Sequence, residues 1–234
     1  MNNSQVMLIT GTSRGIGKFL AKHYVQRGFS VIGCSRQSVD YSLKNYRHFS
    51  LDICNEDDVR EMFVEVTKSY KHLDVLINNV GIISMNYVYL TSAKTVRDIM
   101  DTNFIGTFIC CREAIKIMQR NRSGKIINIS SIAVPLSAAG TSAYSASKAA
   151  VEQLSKVLAK EVVSYGIAVN TLGLSFVEGS GMIKEVGEKA VKSALENTAS
   201  KIPITFNDVA VAMDSLILGQ NSTATGKISY LGGV

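Results

Sequence analysis

Val6-Met7-Leu8-Ile9-Thr10-Gly11-Thr12-Ser13-Arg14-Gly15-Ile16-Gly17 decides the fold. A short apolar, β-prone run, Val6–Thr10, leads straight into a turn with three glycines. Apolar residues then recur at Ile16, Phe19, Leu20 and Tyr24, one face of a helix. Run, turn and 3.6-residue period read as strand, glycine turn, helix. Small residues in such a turn let the backbone approach a pyrophosphate. The helix start then offers free N–H groups and a partial positive charge. A glycine cluster alone is a weak signal, and Gly11-x3-Gly15-x-Gly17 is not the commoner G-x-G-x-x-G. Its place between first strand and first helix carries the reading.

Outward from this unit the alternation continues. Ser30–Cys34, His48–Ile53, Asp74–Asn78, Lys125–Ser130, Ile167–Thr171 and Lys227–Leu231 are short, mostly β-rich runs and read as strands. Between them Val59, Met62, Phe63 and Val66 share a helical face, as do Val151, Leu154, Leu158 and Val162. Strand–helix alternation predicts an α/β fold: a doubly wound, parallel, seven-stranded sheet of the Rossmann type with helices on both faces. The 234 residues suit a single domain, with no repeat or linker to divide them. Gly173–Phe206, with glycines at 173, 179, 181 and 187 and Pro203, reads as a flexible segment beside the ligand site.

Composition excludes several classes. Apolar residues make up 46% of the chain, and Gly 18 with Pro 2 fits neither a disordered nor a collagen-like chain. The net charge of +6 permits an acidic partner, but no run of five basic residues argues for nucleic acid. No stretch of about 18 apolar residues suggests a membrane span. The start MNNSQVMLIT lacks the basic-then-apolar pattern of a leader, so the Asn221–Thr223 triplet carries no glycosylation signal and a cytoplasmic location is expected. Cys34, Cys54, Cys110 and Cys111 show neither CxxC nor zinc spacing and read as reduced, packed residues; no metal site is expected. His23, His48 and His72 read as surface or packed residues.

Five motifs in order resemble the classical short-chain dehydrogenases/reductases. They are the glycine turn; Asn78-Asn79-Val80-Gly81, with Val where the family has Ala; Asn103 within Asp101–Gly106; Ser131; and Tyr144-Ser145-Ala146-Ser147-Lys148, the YxxxK motif, 13 residues after that serine. The likeness spans about Val6 to Gly233 and is nearest to the 3-oxoacyl-(acyl-carrier-protein) reductases. It implies Tyr144 as acid/base, Lys148 lowering the tyrosine pKa and holding the nicotinamide ribose, Ser131 on the substrate oxygen, and Asn103 positioning a water. The chemistry of the residues agrees. A free tyrosine, with a pKa of about 10, is a poor catalyst near neutrality. An ammonium four residues on, on the same helix face, favours its phenolate.

The cofactor reading rests on charge. Dinucleotide sites that take a free ribose place an acid near the end of the second strand. Here Gly33-Cys34-Ser35-Arg36 ends it, and no acid comes before Asp40. Arg14 in the turn and Arg36 beyond the strand suit a 2′-phosphate, which points to NADP(H). The resemblance adds Gly11, Thr12, Ser13, Gly15, Ile16 and Gly17 around the phosphates, Asp52 and Ile53 at the adenine, and Asn79, Val80 and Gly81 on the ribose side. It also assigns backbone contacts of Val177 to the nicotinamide carboxamide.

The chain departs from the family in places. Leu174-Ser175 stand for Pro-Gly after the sixth strand, Gly179 for a threonine, and Val134-Pro135 where a glycine follows the catalytic serine. Arg122 occupies one position where carrier-protein reductases have arginine, and Tyr165 holds the other. Three readings stay open: an NADPH-dependent ketone reductase, with a small or carrier-bound 3-oxoacyl substrate; an enzyme of sugar, steroid-like or polyketide alcohols; and a cofactor-binding regulator. The family's four-helix interface implies a dimer or tetramer; Phe104, Phe108, Val151 and Leu154 are compatible with it and equally with facing the sheet.

Overall fold

β1 (Val6–Thr10) is buried along its whole length, as a central strand covered on both faces must be. The computed structural model describes residues 4–219 and 224–234. The first three residues and the 221–223 triplet lie outside them. β1 is flanked by β2 (Ser30–Ser35) and β4 (Val75–Asn78). The full parallel order is β3-β2-β1-β4-β5-β6-β7. Here β3 is Tyr46–Ser50, β5 Gly124–Ser131, β6 Ile167–Leu174 and β7 Ile228–Leu231. The order reverses between β1 and β4, the point where ligands of open α/β sheets bind beyond the strands' carboxyl ends.

Alternate residues feed two cores. Val6, Leu8, Ile32, Leu76, Ile126 and Val169 face one layer, packed by helices α2 (Glu56–Tyr70), α4 (Gly106–Asn121) and α6 (Ser142–Val162). Met7, Ile9, Val31, Val75, Ile77 and Ile127 face the other, under α1 (Gly15–Gln26) and α9 (Phe206–Ile217). The period of two along each strand sets this division. Cys34, Cys110 and Cys111 are buried thiols of the first layer. Burial pushes Cys34 and Cys111 up to about 12, so these thiols stay protonated and unreactive.

Two strands differ from the sequence pattern by more than one residue at an end. The third strand is Tyr46–Ser50 rather than His48–Ile53. Leu51 and Ile53 continue the apolar alternation, but the Asp52 carboxylate takes the Cys54 N–H at 3.0 Å and turns the chain. Asn55 then caps α2, accepting from the Asp57 and Asp58 N–H groups. The sixth strand runs on to Leu174, because Gly173 leaves room for the Tyr230 ring of β7, which a Cβ would meet at 2.2 Å. After it, Val177 bridges Ile204, and helices α7 (Met182–Val186) and α8 (Glu188–Glu196) follow. Val191 and Leu195 of α8 are buried. No helix among the described residues is long and apolar enough to cross a membrane.

Candidate active site

A cleft of about 520 Å³ opens across the carboxyl ends of the strands. The sequence-named residues Gly11, Ser13, Arg14, Gly15, Ile16, Arg36, Asp52, Ile53, Asn79, Val80, Gly81, Ser131, Tyr144, Lys148 and Val177 all line it. Three others stand behind the wall. Gly17 packs α1 against the turn, since a Cβ there would lie 2.1 Å from the Gly11 carbonyl oxygen. Thr12 is fully buried, its hydroxyl 2.8 Å from the Tyr46 hydroxyl. Asn103 is also fully buried.

The turn is braced from both sides. Asn79 donates its amide to the Thr10 carbonyl at 2.9 Å, and its own N–H goes to the Thr10 hydroxyl at 3.0 Å. On the far side Tyr41 donates to the Thr12 carbonyl at 2.9 Å and lies 3.1 Å from the Tyr46 hydroxyl, and Tyr46 meets His48 Nδ1 at 2.9 Å. His48 Nε2 in turn reaches the Ser35 hydroxyl at 3.1 Å, beside Arg36. Burial lowers the His48 pKa, which keeps this network neutral. Alternating tyrosines and histidine on a short strand gave no signal in the sequence beyond packing. These residues were missed as supports of the site.

The cradle fits a dinucleotide diphosphate. Gly15 holds φ +55 with Ser180 so close that a Cβ would sit 2.8 Å from its carbonyl oxygen. That approach and that φ both require glycine. The N-cap residue Arg14 makes no side-chain cap bond, so the first-turn N–H groups are not closed off by their own cap. Beyond β2 the cleft meets Ser35, Arg36 and Gln37 and no carboxylate. The nearest acid of that loop, Asp40, is turned to Lys18 at 2.6 Å, which holds its carboxyl below the usual range. Ile53 lines the cleft and packs on Gly106, where a Cβ would meet it at 2.6 Å.

The other half of the cleft carries the titratable groups. Tyr144 and Lys148 sit one turn apart on α6, and both are buried. Lys148 donates to the Ile129 carbonyl at 2.9 Å, and burial lowers its pKa to about 8. The expected lowering of Tyr144 is not the net result. Burial raises its pKa, and a hydrogen bond with Ser131 opposes this with a smaller effect. The phenol is thus held protonated, because removing it from water costs more than the serine returns. The Ser131 hydroxyl is itself placed by the Ala133 N–H at 3.1 Å.

Asn103 braces this half. It lies in a π-helical turn, Asp101–Ile105, between α3 (Ala93–Met100) and α4. Its side chain accepts from the Ile82 N–H at 2.8 Å and donates to the Ile82 carbonyl and the Ser147 hydroxyl, both at 2.9 Å. The amide is therefore fully spent on tying the segment after Gly81 to α6. Its backbone carbonyl accepts from Thr107 at 2.8 Å. Such a wide turn inside a helix is common at functional sites. One turn beyond Lys148, the buried Glu152 accepts from Ser130 at 2.6 Å and Tyr230 at 2.8 Å.

At the departures from the family pattern, Leu174 accepts the Ile132 N–H at 3.1 Å and Ser175 donates its N–H to Leu231 at 3.1 Å. The Phe176 carbonyl and Glu178 N–H both pair with Ile204, so Val177 turns its own N–H away from that ladder. Ile82, Ile83, Met85, Leu136 and Met182 complete the reaction end. Arg122 stands before β5, at the amino end of the sheet, opposite the cleft. It donates to the Ser164 carbonyl at 2.8 Å.

Known proteins resemble this chain over most of its length. The family described as short chain dehydrogenase matches residues 5–191. A 3-oxoacyl-[acyl-carrier-protein] reductase, FabG, of Vibrio cholerae serotype O1 is 30% identical over 98% of this chain and 96% of its own. The FabG of Staphylococcus epidermidis is 31% identical over 100% and 98%. Among solved structures, ElxO with NADP bound superposes with a TM-score of 0.90 at 29% identity, covering 97% of both chains. The aldohexose dehydrogenase of Thermoplasma acidophilum, ligand-free, gives 0.89 at 29% identity, covering 98% of this chain and 93% of that one.

Proposed function

The chain belongs to the short chain dehydrogenase family of oxidoreductases, and on that premise we propose that it reduces a ketone to a secondary alcohol with NADPH. The observation that carries this is the meeting of Ser131, Tyr144 and Lys148 in one cleft with the glycine turn and Arg36. When bound, the nicotinamide supplies the hydride. Tyr144, kept protonated by burial, gives its proton to the carbonyl oxygen as charge develops there. Ser131 donates to the same oxygen and stabilises that charge. Lys148 is charged below about pH 8; its ammonium favours the phenolate that remains and holds the nicotinamide ribose. Asn103 fixes the loop at Gly81, where a Cβ would lie 3.1 Å from the lysine nitrogen. Arg36, with Arg14, takes the 2′-phosphate, and Asp52 and Ile53 border the adenine.

The substrate end favours an apolar ketone. Its lining from Ile82, Ile83, Met85, Leu136 and Met182 brings no charged side chain besides Lys148. A sugar would need several polar partners there. A 3-oxoacyl thioester, the kind of substrate named for the FabG relatives, satisfies this wall. Ile105, Phe108 and Val157 stand about two-fifths exposed on the helices around Asn103 and beyond Lys148, which supports association of copies through them.

Tyr144→Phe tests the assignment. Its turnover on a β-ketoacyl panel should fall by about 10²–10⁴, while NADPH affinity by fluorescence stays within a few-fold. Unchanged turnover would sink it. Wild-type NADPH binding with no turnover on any ketone would favour the regulator reading instead.

A further inference from the structure

Arg36 meets the cleft through a side chain that is exposed and, among the described residues, makes no hydrogen bond or ion pair. Its backbone therefore has to aim it. A long side chain loses rotamer freedom when a ligand orders it, and that cost falls if the chain is fixed where the side chain begins. The residues on either side are fixed. Ser35 ends β2, and its carbonyl accepts from the Leu51 N–H at 3.0 Å. The Gln37 carbonyl accepts from the Ser35 hydroxyl at 2.7 Å and lies 3.1 Å from His48 Nε2.

A carbonyl can only accept, so this contact places the His48 hydrogen on Nε2. Nδ1 is then an acceptor, and the Tyr46 hydroxyl donates to it at 2.9 Å. Tyr41 spends its own proton on the Thr12 carbonyl, which leaves the Thr12 hydroxyl to donate to Tyr46 at 2.8 Å. The bonds thus run in one direction, from the glycine turn through Tyr46 and His48 to the turn that carries Arg36. The opposite tautomer would set a nitrogen lone pair against the Gln37 oxygen and lose that bond. β2 leaves room for the network, since a Cβ at Gly33 would collide with the Tyr46 and Thr12 hydroxyls. His48 itself stands on β3, beside Gly33 and behind the cleft wall.

Resting on the NADPH reading above, we propose that His48 is a positioning residue for cofactor choice: through the Gln37 carbonyl it holds the turn from which Arg36 reaches a 2′-phosphate. A packing role would serve NADPH and NADH alike. This one serves only the dinucleotide that carries the phosphate, because only that one needs the arginine.

Titration of the full chain with NADPH and with NADH tests this. His48→Asn keeps an amide near Tyr46 but is too short to reach Gln37. It should weaken NADPH about tenfold, the size of one net hydrogen bond, and leave NADH within twofold. His48→Phe keeps the ring's shape without its nitrogens; it should behave the same way and replaces the asparagine variant if that one fails to fold. His48→Gln, whose amide can reach the carbonyl, should stay within about threefold of wild type for both dinucleotides. In an Arg36→Ala background, His48→Asn should change NADPH affinity less than twofold, since its effect passes through the arginine. Equal losses for NADPH and NADH would overturn the proposal, as would a full tenfold loss without Arg36. So would unchanged NADPH affinity, or a glutamine variant no better than the asparagine one. A wild type that binds NADH as tightly as NADPH would remove the parent reading, and the wild-type titration shows that separately.

Discussion

The two ends of the cleft are built by different means. At the glycine-turn end the polar groups behind the wall are matched to one another. Thr12, Tyr41, Tyr46, His48 and Ser35 form a continuous hydrogen-bonded chain, and the turn before them is fixed by glycine contacts too close for any side chain. At the reaction end, Lys148 and Tyr144 are buried with their pKa values displaced in opposite directions, and Ser175 has no protein partner. One end is complete before a ligand arrives. The other holds groups whose protonation is set by burial. Binding needs a preformed shape, whereas proton transfer needs groups poised between two states.

If that contrast is right, damage at the two ends should differ in kind. Gly17→Ala strikes the finished end hardest. Its Cβ would sit 2.1 Å from the Gly11 carbonyl oxygen and 2.7 Å from Asn79 Nδ2, so α1 must move off the turn. Overpacking of this sort costs about 1–3 kcal/mol or more. NADPH affinity should fall at least about 100-fold, together with a lower melting temperature. A variant that keeps both would show the turn to be adaptable and erase the contrast. Arg36→Ala is milder, because Arg36 is exposed and supports no packing. Loss of a charge-assisted contact worth about 1.5–3 kcal/mol should weaken NADPH roughly 10–100-fold. NADH affinity and the melting temperature should hold. Tighter NADH than NADPH in the wild type would refute the 2′-phosphate site.

The parts of this division visible in the sequence are those made by local pattern. The glycine turn, the period of two in Val6–Thr10 and the i, i+4 pair Tyr144 and Lys148 each declare themselves within a few residues. The alternation of seven strands with helices announces a parallel, doubly wound sheet, but not the order of its strands. The end of β3 was misplaced because Leu51 and Ile53 prolong the apolar alternation past Asp52, and only the bond from Cys54 shows the turn. The tyrosine–histidine brace joins residues from three segments, so no spacing announces it. Tyr144 shows the same limit. Spacing put an ammonium beside it and suggested a lowered pKa, but the depth of burial, a tertiary quantity, decides the sign. Arg122 matches a carrier-protein arginine by spacing, and only the fold shows that it sits at the amino end of β5 and donates to the Ser164 carbonyl.

The smallest expected effect on activity concerns pH and separates activity from stability at one residue. Burial takes Lys148 from 10.5 to about 8 and raises Tyr144 above its ordinary value. Between pH 6 and 9 the tyrosine therefore keeps its proton, and of the two only the lysine titrates. Since kcat/KM reports the free enzyme, reduction should be flat below about pH 7, bend near 8, and fall up to about tenfold per unit above it. Stability must run the other way. The lysine pKa is lower in the folded chain than in the unfolded one, so between about 8 and 10.5 the unfolded state binds a proton that the native state lacks. Its contribution to stability then rises with pH across that window, by at most about 3 kcal/mol at roughly 1.4 kcal/mol per unit. Urea melts of the wild type and Lys148→Met at pH 7.5 and 10 measure it, because methionine fills the site without a charge. The variant's advantage at pH 7.5 should shrink by pH 10. If it does not, Lys148 titrates near its ordinary value and the reaction end is not poised by burial.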